Sequence, residues 1–224
     1  MTFFNFTWPD SERLMADFNK SFGERESICC PISFHNGGHR RIGPLYLEVK
    51  HNRRDELIIW GHDLAIHEKI LDQFEKQGFT GYRVKPAAVH FRDGATSTEY
   101  HEFLVTGWAG TASPESGVRL VESCPACLRK EYSPITNPEK VIDWSQWTGE
   151  DFFVVYPLMG TRFITERVAK WLQSQKVKSF RLEKEFDVRQ RDSIISKLNI
   201  PAGRLSLHFP QDLANKYGKP LGLE

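Results

Sequence analysis

The sequence predicts an α+β fold: two βαβ-like repeats around a mixed sheet, with a cysteine-containing loop between them. Three observations carry that expectation. A segment opening at Asp55 has a counterpart opening at Asp151. In each, an apolar run of strand length precedes a stripe of helical period. Between them stands the turn Ser123-Cys124-Pro125-Ala126-Cys127-Leu128.

The internal similarity can be followed residue by residue. Asp55-Glu56-Leu57-Ile58-Ile59-Trp60 resembles Asp151-Phe152-Phe153-Val154-Val155-Tyr156, and Ile66 to Lys85 then aligns with Ile164 to Glu183 without gaps. The loop before the gapless stretch is two residues longer in the second copy. Identical pairs are Ile66 and Ile164, Glu68 and Glu166, Gln77 and Gln175, and Arg83 and Arg181. Ile70, Leu71 and Phe74 answer to Val168, Ala169 and Leu172, the one-sided stripe of an amphipathic helix. Each copy is therefore expected to run strand, loop, helix, strand, as an old duplication would leave it.

The 224 residues carry 30 Lys and Arg against 29 Asp and Glu, with 40% hydrophobic residues. That size buries a core without staples, and the composition is that of a globular chain. A net charge of +1 provides no basic field for a run of phosphates, so no nucleic-acid partner is expected. No apolar run approaches bilayer length, so no membrane partner is expected either. Met1 to Phe22 is interrupted by Pro9, Asp10, Glu12 and Arg13, unlike a secretory signal. Four cysteines make a poor disulfide framework, which points to a reducing, cytoplasmic setting. The chain reads as a single domain, 1–224. Its parts are an N-terminal helix and loop (1–42), a first repeat (43–92), a hairpin and Cys-Pro-Ala-Cys connector (93–150), a second repeat (151–185) and a C-terminal segment (186–224).

Taken in order, Phe3, Phe4, Phe6 and Trp8 form an aromatic cluster, read as a terminal segment docked on the core. Leu14, Phe18 and Phe22 follow at helical spacing behind Asp10 and Ser11 as caps. Glu24 to Arg41 is loop-like, with Pro31, Gly37 and Gly38. Gly43 to Lys50 alternates as a strand, and Glu56 to Trp60 reads as a more buried one. Tyr82 to Phe91 and Tyr100 to Trp108 form a hairpin around Gly94. Gly107 to Gly117 is a small-residue loop, and Val118 to Val121 a short strand leading into the cysteine turn. Gly203 to Phe209 alternates, and Pro210 to Tyr217 reads as a terminal helix stopped by Gly218 and Pro220.

Cys124 and Cys127 place two thiols on one side of a tight turn, half of a tetrahedral metal site. Cys30-Pro31-Ile32-Ser33 repeats the turn with its last Cys replaced by Ser, which makes Cys30 the third candidate ligand. Cys29, His35 or His39 could complete the set. Zinc is the metal such thiolates select, while a decayed site of ordinary buried thiols is the reading a missing ligand favours. A redox pair would want a helix behind its first Cys, and Lys130 to Pro134 provides none. His62 and Asp63 lie in the loop after a buried strand, where α/β proteins often place ligands. Phe34 to Arg41 could bind an anion through its amides and two arginines, or be only a polar turn. No residue is marked as catalytic by a nucleophile, phosphate-loop or metalloprotease motif. Trp144 and Trp147, in the connector, are candidate interface residues, while Trp171 falls on the helix stripe.

The chain resembles the bacterial double-CXXCG motif proteins, a group related to immunity proteins of polymorphic toxin systems. The resemblance covers roughly Ile42 to Arg181. It rests on Gly43-Pro44-Leu45-Tyr46, the Leu71 to Arg83 stretch, Cys124-Pro125-Ala126-Cys127, and Asp151-Phe152-Phe153 through Thr165-Glu166-Arg167-Val168. The first motif keeps only Cys30, and Leu128 follows the second where the family has Gly. The resemblance implies a non-catalytic protein-binding protein, an immunity protein that occludes a cognate toxin. The alternatives are a metal-dependent or small-molecule enzyme with a site near His62 and Asp63, and a structural zinc-binding adaptor. Partner identity and oligomeric state are left open by the sequence.

Overall fold

The structure, a computed structural model, describes residues 3–7, 15–17, 20–21, 24–32, 36–60, 63–175, 177, 181–184 and 203–223. Its first strands are β1 (Phe3–Thr7), β2 (Arg25–Cys29), β3 (Asn36–Arg41), β4 (Leu45–Glu48), β5 (Leu57–Trp60) and β6 (Asp63–His67). Helix α1 (Glu68–Lys76) leads to β7 (Tyr82–His90), β8 (Thr96–Val105), β9 (Gly107–Thr111), β10 (Leu120–Ser123) and β11 (Lys130–Tyr132). Then come β12 (Phe152–Tyr156), β13 (Phe163–Thr165), α2 (Glu166–Ser174), β14 (Arg181–Lys184) and α3 (Gln211–Gly218). The fold is α+β, as its sequence predicts.

Two five-stranded sheets form the body, in the orders β4-β7-β8-β6-β5 and β14-β1-β13-β12-β9; β2-β3 and β10-β11 are separate two-stranded ribbons. Strands β6 and β7 are both antiparallel to β8, so they are parallel to each other with α1 as the crossover. Strands β13 and β14 are likewise both antiparallel to β1, with α2 as the crossover. The βαβ-like units are thus split: each has a strand from elsewhere in the chain between its two parallel strands. The segment expected as a loop in each copy is itself a strand, β6 or β13, antiparallel to the one before it. Its apolar residues, Leu64 and Ile66 or Phe163 and Ile164, belong to the core, which is why it pairs instead of looping.

Period-two alternation sorts the core into layers. Leu57, Ile59, Leu64 and Ile66 of one sheet share a cluster with Phe152, Val154, Tyr156 and Ile164 of the other. Leu71 and Phe74 of α1, and Val168, Ala169 and Leu172 of α2, pack into that same cluster. Ile58, Trp60 and Ala65 face the opposite way, onto Leu45, Leu47, Val89 and Tyr100. Phe153, Val155 and Phe163 turn outward onto Phe3, Ile135, Val141 and Ile142. Strands β5 and β12 are therefore covered on both faces, which explains their unbroken apolar runs. Gly81, just before β7, lies against β12: a Cβ there would run into the Phe152 carbonyl, so no larger residue fits.

The aromatic N-terminus docks on the core as expected, as strand β1 with Phe6 in the shared core; Leu14, Phe18 and Phe22, where a helix is expected, lie outside the described residues. Three further expectations are corrected. Glu24 to Arg41 is not a loop but the β2-β3 ribbon, in register as Arg25↔Arg41 and Glu26↔Arg40. Its strands are polar on both faces, so no hydrophobic alternation reveals them. Gly107–Thr111, expected as loop, pairs in parallel with β12, its small side chains allowing Ala109 to be fully buried. Gly203 to Phe209 forms a short 3-10 turn at Leu205–Leu207 instead of alternating. Leu205 and Phe209 reach the core together through the Phe209 N–H bond to the Leu205 carbonyl, 2.8 Å.

Candidate metal centre

The cysteine turn joins β10 to β11 and is closed by backbone hydrogen bonds. Cys124 N–H donates to the Arg129 carbonyl at 2.8 Å, and Leu128 N–H to the Cys124 carbonyl at 3.0 Å. That closure puts Leu128 at φ 64°, the left-handed region a side chain resists by about 1 kcal/mol. Cys30, just beyond β2, meets this turn with its Sγ 3.6 Å from Cys124 Sγ. All three sulfurs of Cys30, Cys124 and Cys127 lie within 4.8 Å of one another. Thiolates at zinc bond lengths in a tetrahedron are separated by roughly 3.8 Å, so the cluster has the dimensions of a metal site. Cys124 and Cys127 are buried and Cys30 is half-buried.

The electrostatics favour one thiolate above the other. Hydrogen bonds from the backbone N–H groups of Cys127 and Ala126 hold the Cys124 thiol below its ordinary value, with help from the Cys30 and Cys127 thiols. Burial pushes the Cys127 thiol up, against a backbone N–H from Arg129. The three cysteines could hold a metal ion, with Cys124 the readiest anion.

The cluster also sits where three parts of the chain meet. Cys30 brings the β2-β3 ribbon, the turn brings the β10-β11 ribbon, and Gly203 packs on the far side. A Cβ at Gly203 would collide with the Leu128 carbonyl, so that position admits only glycine. Arg204 Nε donates to the Cys127 carbonyl at 3.4 Å.

The remaining candidates are placed as follows. Cys29, the last residue of β2, is exposed and not part of the thiol cluster. Among the described residues no other Cys, His, Asp or Glu joins the three. Ser33, which matches Cys127 in the echoed turn, lies outside the described residues, as do His35 and His62. His39, on β3, is exposed and bonds Ser27 Oγ through Nδ1 at 3.1 Å. Asp63, on β6, has its two oxygens 3.5 Å from Arg25 and 3.7 Å from Arg41. Trp144 and Trp147 are half-buried and pack on Phe153 with centroids at 6.3 and 6.0 Å. Trp171 packs against Phe74 at 5.5 Å.

Sequence reasoning missed a cavity of about 750 Å³ lined by β3, β6, β8, the loop before β13 and the C-terminal turn. Arg41, Arg129 and Arg162 come to it from three distant parts of the chain. Two signals were available: the Phe34 to Arg41 stretch, read as able to bind an anion, supplies Arg40 and Arg41 to the lining, and the loop that is two residues longer in the second copy includes Arg162.

No family model matches the chain, and no curated protein matches it significantly. Among the described residues, no helix is long and apolar enough to cross a membrane.

Proposed function

We propose that the chain is a non-catalytic, cytoplasmic protein-binding protein in which Cys30, Cys124 and Cys127 hold a zinc ion as a structural staple. The observation that carries this reading is the thiol cluster and what it supports. The cluster holds up the β10-β11 ribbon, on which Leu120 and Val121 remain 50% and 64% exposed, and beside Cys30 Ile32 is 68% exposed. Large apolar side chains left in water around a cross-linked ribbon are what a protein partner covers. The resemblance to double-CXXCG proteins makes a cognate toxin the partner class, neutralised by occlusion.

An enzyme working through Asp63 has less support, because both oxygens of that carboxylate are already paired, with Arg25 and with Arg41. A bridge from Cys30 to Cys124 spans 94 residues. Closing a loop of that size in the unfolded chain is worth about 4–5 kcal/mol in the chain-entropy picture. Elemental analysis should find one zinc per chain, and a strong chelator should lower the melting temperature by about 10 °C. Cys124→Ser should reproduce the chelated state. A metal-free preparation that melts as high as the zinc-loaded one would sink the staple. For the partner, Val121→Glu should abolish co-elution with the product of the neighbouring gene while leaving the melting temperature unchanged.

A further inference from the structure

The three clustered thiols are not equivalent in how they are held or reached. Cys124 is fixed by its turn, through its N–H bond to the Arg129 carbonyl and the Leu128 N–H bond to its own carbonyl. Cys124 and Cys127 are 7% and 1% exposed, so solvent reaches neither residue freely. Cys30 is half-buried, and its Sγ stands 3.6 Å from Cys124 Sγ. A small oxidant arriving from solvent therefore meets Cys30 first, with Cys124 already in contact with it.

The ribbon that brings Cys30 is anchored at its other end. Arg25 and Arg41 are cross-strand partners there, Arg25 reaching Asp63 at 3.5 Å and Arg41 pairing with Glu102. At the near end Cys29 stands opposite Asn36 after a break in register, and Cys30 follows outside the strand. Strand β2 is mostly exposed and, among the described strands, pairs with β3 alone. A two-stranded ribbon of this kind has little to stiffen its tip. Closing 3.6 Å to the about 2.05 Å of a disulfide takes a shift of roughly 1.5 Å at that tip, while the turn holds Cys124 in place.

We propose that Cys30 and Cys124 form a reversible disulfide on exposure to a hydroperoxide, and that the bound metal leaves as the bridge closes. The Cys30 sulfur attacks one oxygen of hydrogen peroxide, the O–O bond breaks, and hydroxide departs from a Cys30 sulfenic acid. The Cys124 sulfur then attacks the Cys30 sulfur, the S–O bond breaks, and a second hydroxide departs. Two electrons pass from the sulfurs to the peroxide oxygens, and two protons from solvent turn both hydroxides into water. Cys127 is then the last thiolate of the three, and one thiolate does not retain zinc. The bridge takes over from the metal as the link between the β2-β3 and β10-β11 ribbons. It differs from a redox Cys-x-x-Cys, because it joins two ribbons and not two ends of one turn. Release of the metal rests on the zinc reading given above; the bridge rests on the placement of the sulfurs alone.

The test treats the zinc-loaded full chain with a small excess of hydrogen peroxide, then maps its peptides without reduction after alkylating the remaining thiols. Two of the four thiols should be lost, in a linked pair of peptides joined through Cys30 and Cys124. Zinc should appear in the filtrate, and dithiothreitol with added zinc should restore the starting state. The oxidised chain should melt above the reduced, chelated one. Cys29→Ser should bridge as the wild type does, and Cys30→Ser should lose its thiols about tenfold more slowly or not at all. Where a variant folds poorly, the wild-type map alone decides. A bridge between Cys124 and Cys127 or between Cys29 and Cys30 would overturn the assignment, as would four thiols surviving the treatment. Repeating the oxidation on the chelated chain separates the two readings. A Cys30–Cys124 bridge in a chain that never takes up zinc would sink the staple and leave the bridge standing, whereas bound zinc without a bridge would sink the bridge alone.

Discussion

Leu64 stands two residues before Ile66 in the first half, and Arg162 two residues before Ile164 in the second. Both line the same cavity, but Leu64 also belongs to the shared core, whereas Arg162 brings a charge into the space. A similar contrast holds at Asp55 and Asp151, both buried. Asp151 accepts from Thr80 N–H at 3.1 Å, Thr165 Oγ1 at 2.9 Å and Arg167 Nη1 at 3.1 Å, and so ties the second half to the end of α1 in the first. Asp55 uses its backbone carbonyl to receive the Tyr100 hydroxyl at 2.8 Å and lies 3.9 Å from His51. The two halves share element order and strand pairing, while the polar residues at matched positions have been given different tasks. Scaffold and site are separable in this fold.

If the halves share one core, matched deletions should weaken one cooperative unit. Phe74, fully buried, packs on Phe79, Phe103, Phe152 and Trp171, and its counterpart Leu172 is 2% exposed. Phe74→Ala should cost about 4 kcal/mol and Leu172→Ala about 3 kcal/mol, as buried truncations that leave cavities do. Urea unfolding should show a single transition in both. Two resolved transitions, one of them insensitive to each substitution, would mean that the halves fold separately.

The next effect sharpens the contrast between the aspartates. Asp151→Ala removes the acceptor of Thr80 N–H and of Thr165 Oγ1 and the carboxylate partner of the half-exposed Arg167, three hydrogen bonds worth about 3 kcal/mol together. Asp55→Ala should cost about 1 kcal/mol, because the Tyr100 bond goes to the backbone and survives. Equal losses in chemical denaturation would contradict the hub role assigned to Asp151.

The cysteine turn provides a smaller effect of opposite sign. Leu128→Gly relieves the left-handed strain but loosens the unfolded chain, for a net gain of about 0.5 kcal/mol. A loss of stability would show that the Leu128 side chain contributes more by its contacts than its backbone costs.

Much of the scaffold was legible because one-dimensional signals reported it directly. Apolar runs marked β5 and β12, a 3.6-residue stripe marked α1 and α2, and Cys-Pro-Ala-Cys marked the thiol turn. Cys30 was legible too, through the echo of that turn. The β2-β3 ribbon was not, since its cross-strand partners are charges such as Glu26 and Arg40, which look like loop composition. Strand β9 was hidden by glycine and alanine, small residues that here permit close packing. The cavity was hidden for a different reason. Arg41, Arg129 and Arg162 are far apart in sequence, and only the sheet order and the docking of the C-terminal turn bring them to one place.

The smallest difference between the halves is at the helix N-caps, where His67 matches Thr165. His67 Nδ1 accepts from Lys69 N–H at 3.3 Å, and its Nε2 lies 3.5 Å from Glu99. Burial lowers the His67 pKa below its ordinary 6.5, outweighing the attraction of Glu99. The folded chain therefore binds this proton less readily than the unfolded chain does. Between the folded pKa and about 6.5 the unfolded state carries more proton, so stability rises with pH across that window and levels off above it. Acidifying from pH 7 toward that window should lower the urea midpoint of the wild type, and His67→Thr, which copies the second half, should remove that part of the loss. The Thr variant should cap α1 through its hydroxyl, unlike Thr165, whose Oγ1 donates to Asp151 and makes no cap bond, and so keep the pH 7 midpoint near the wild-type value. If the variant and the wild type lose stability in parallel on acidification, the ring is not the group that titrates, and the two caps are equivalent in this respect as well.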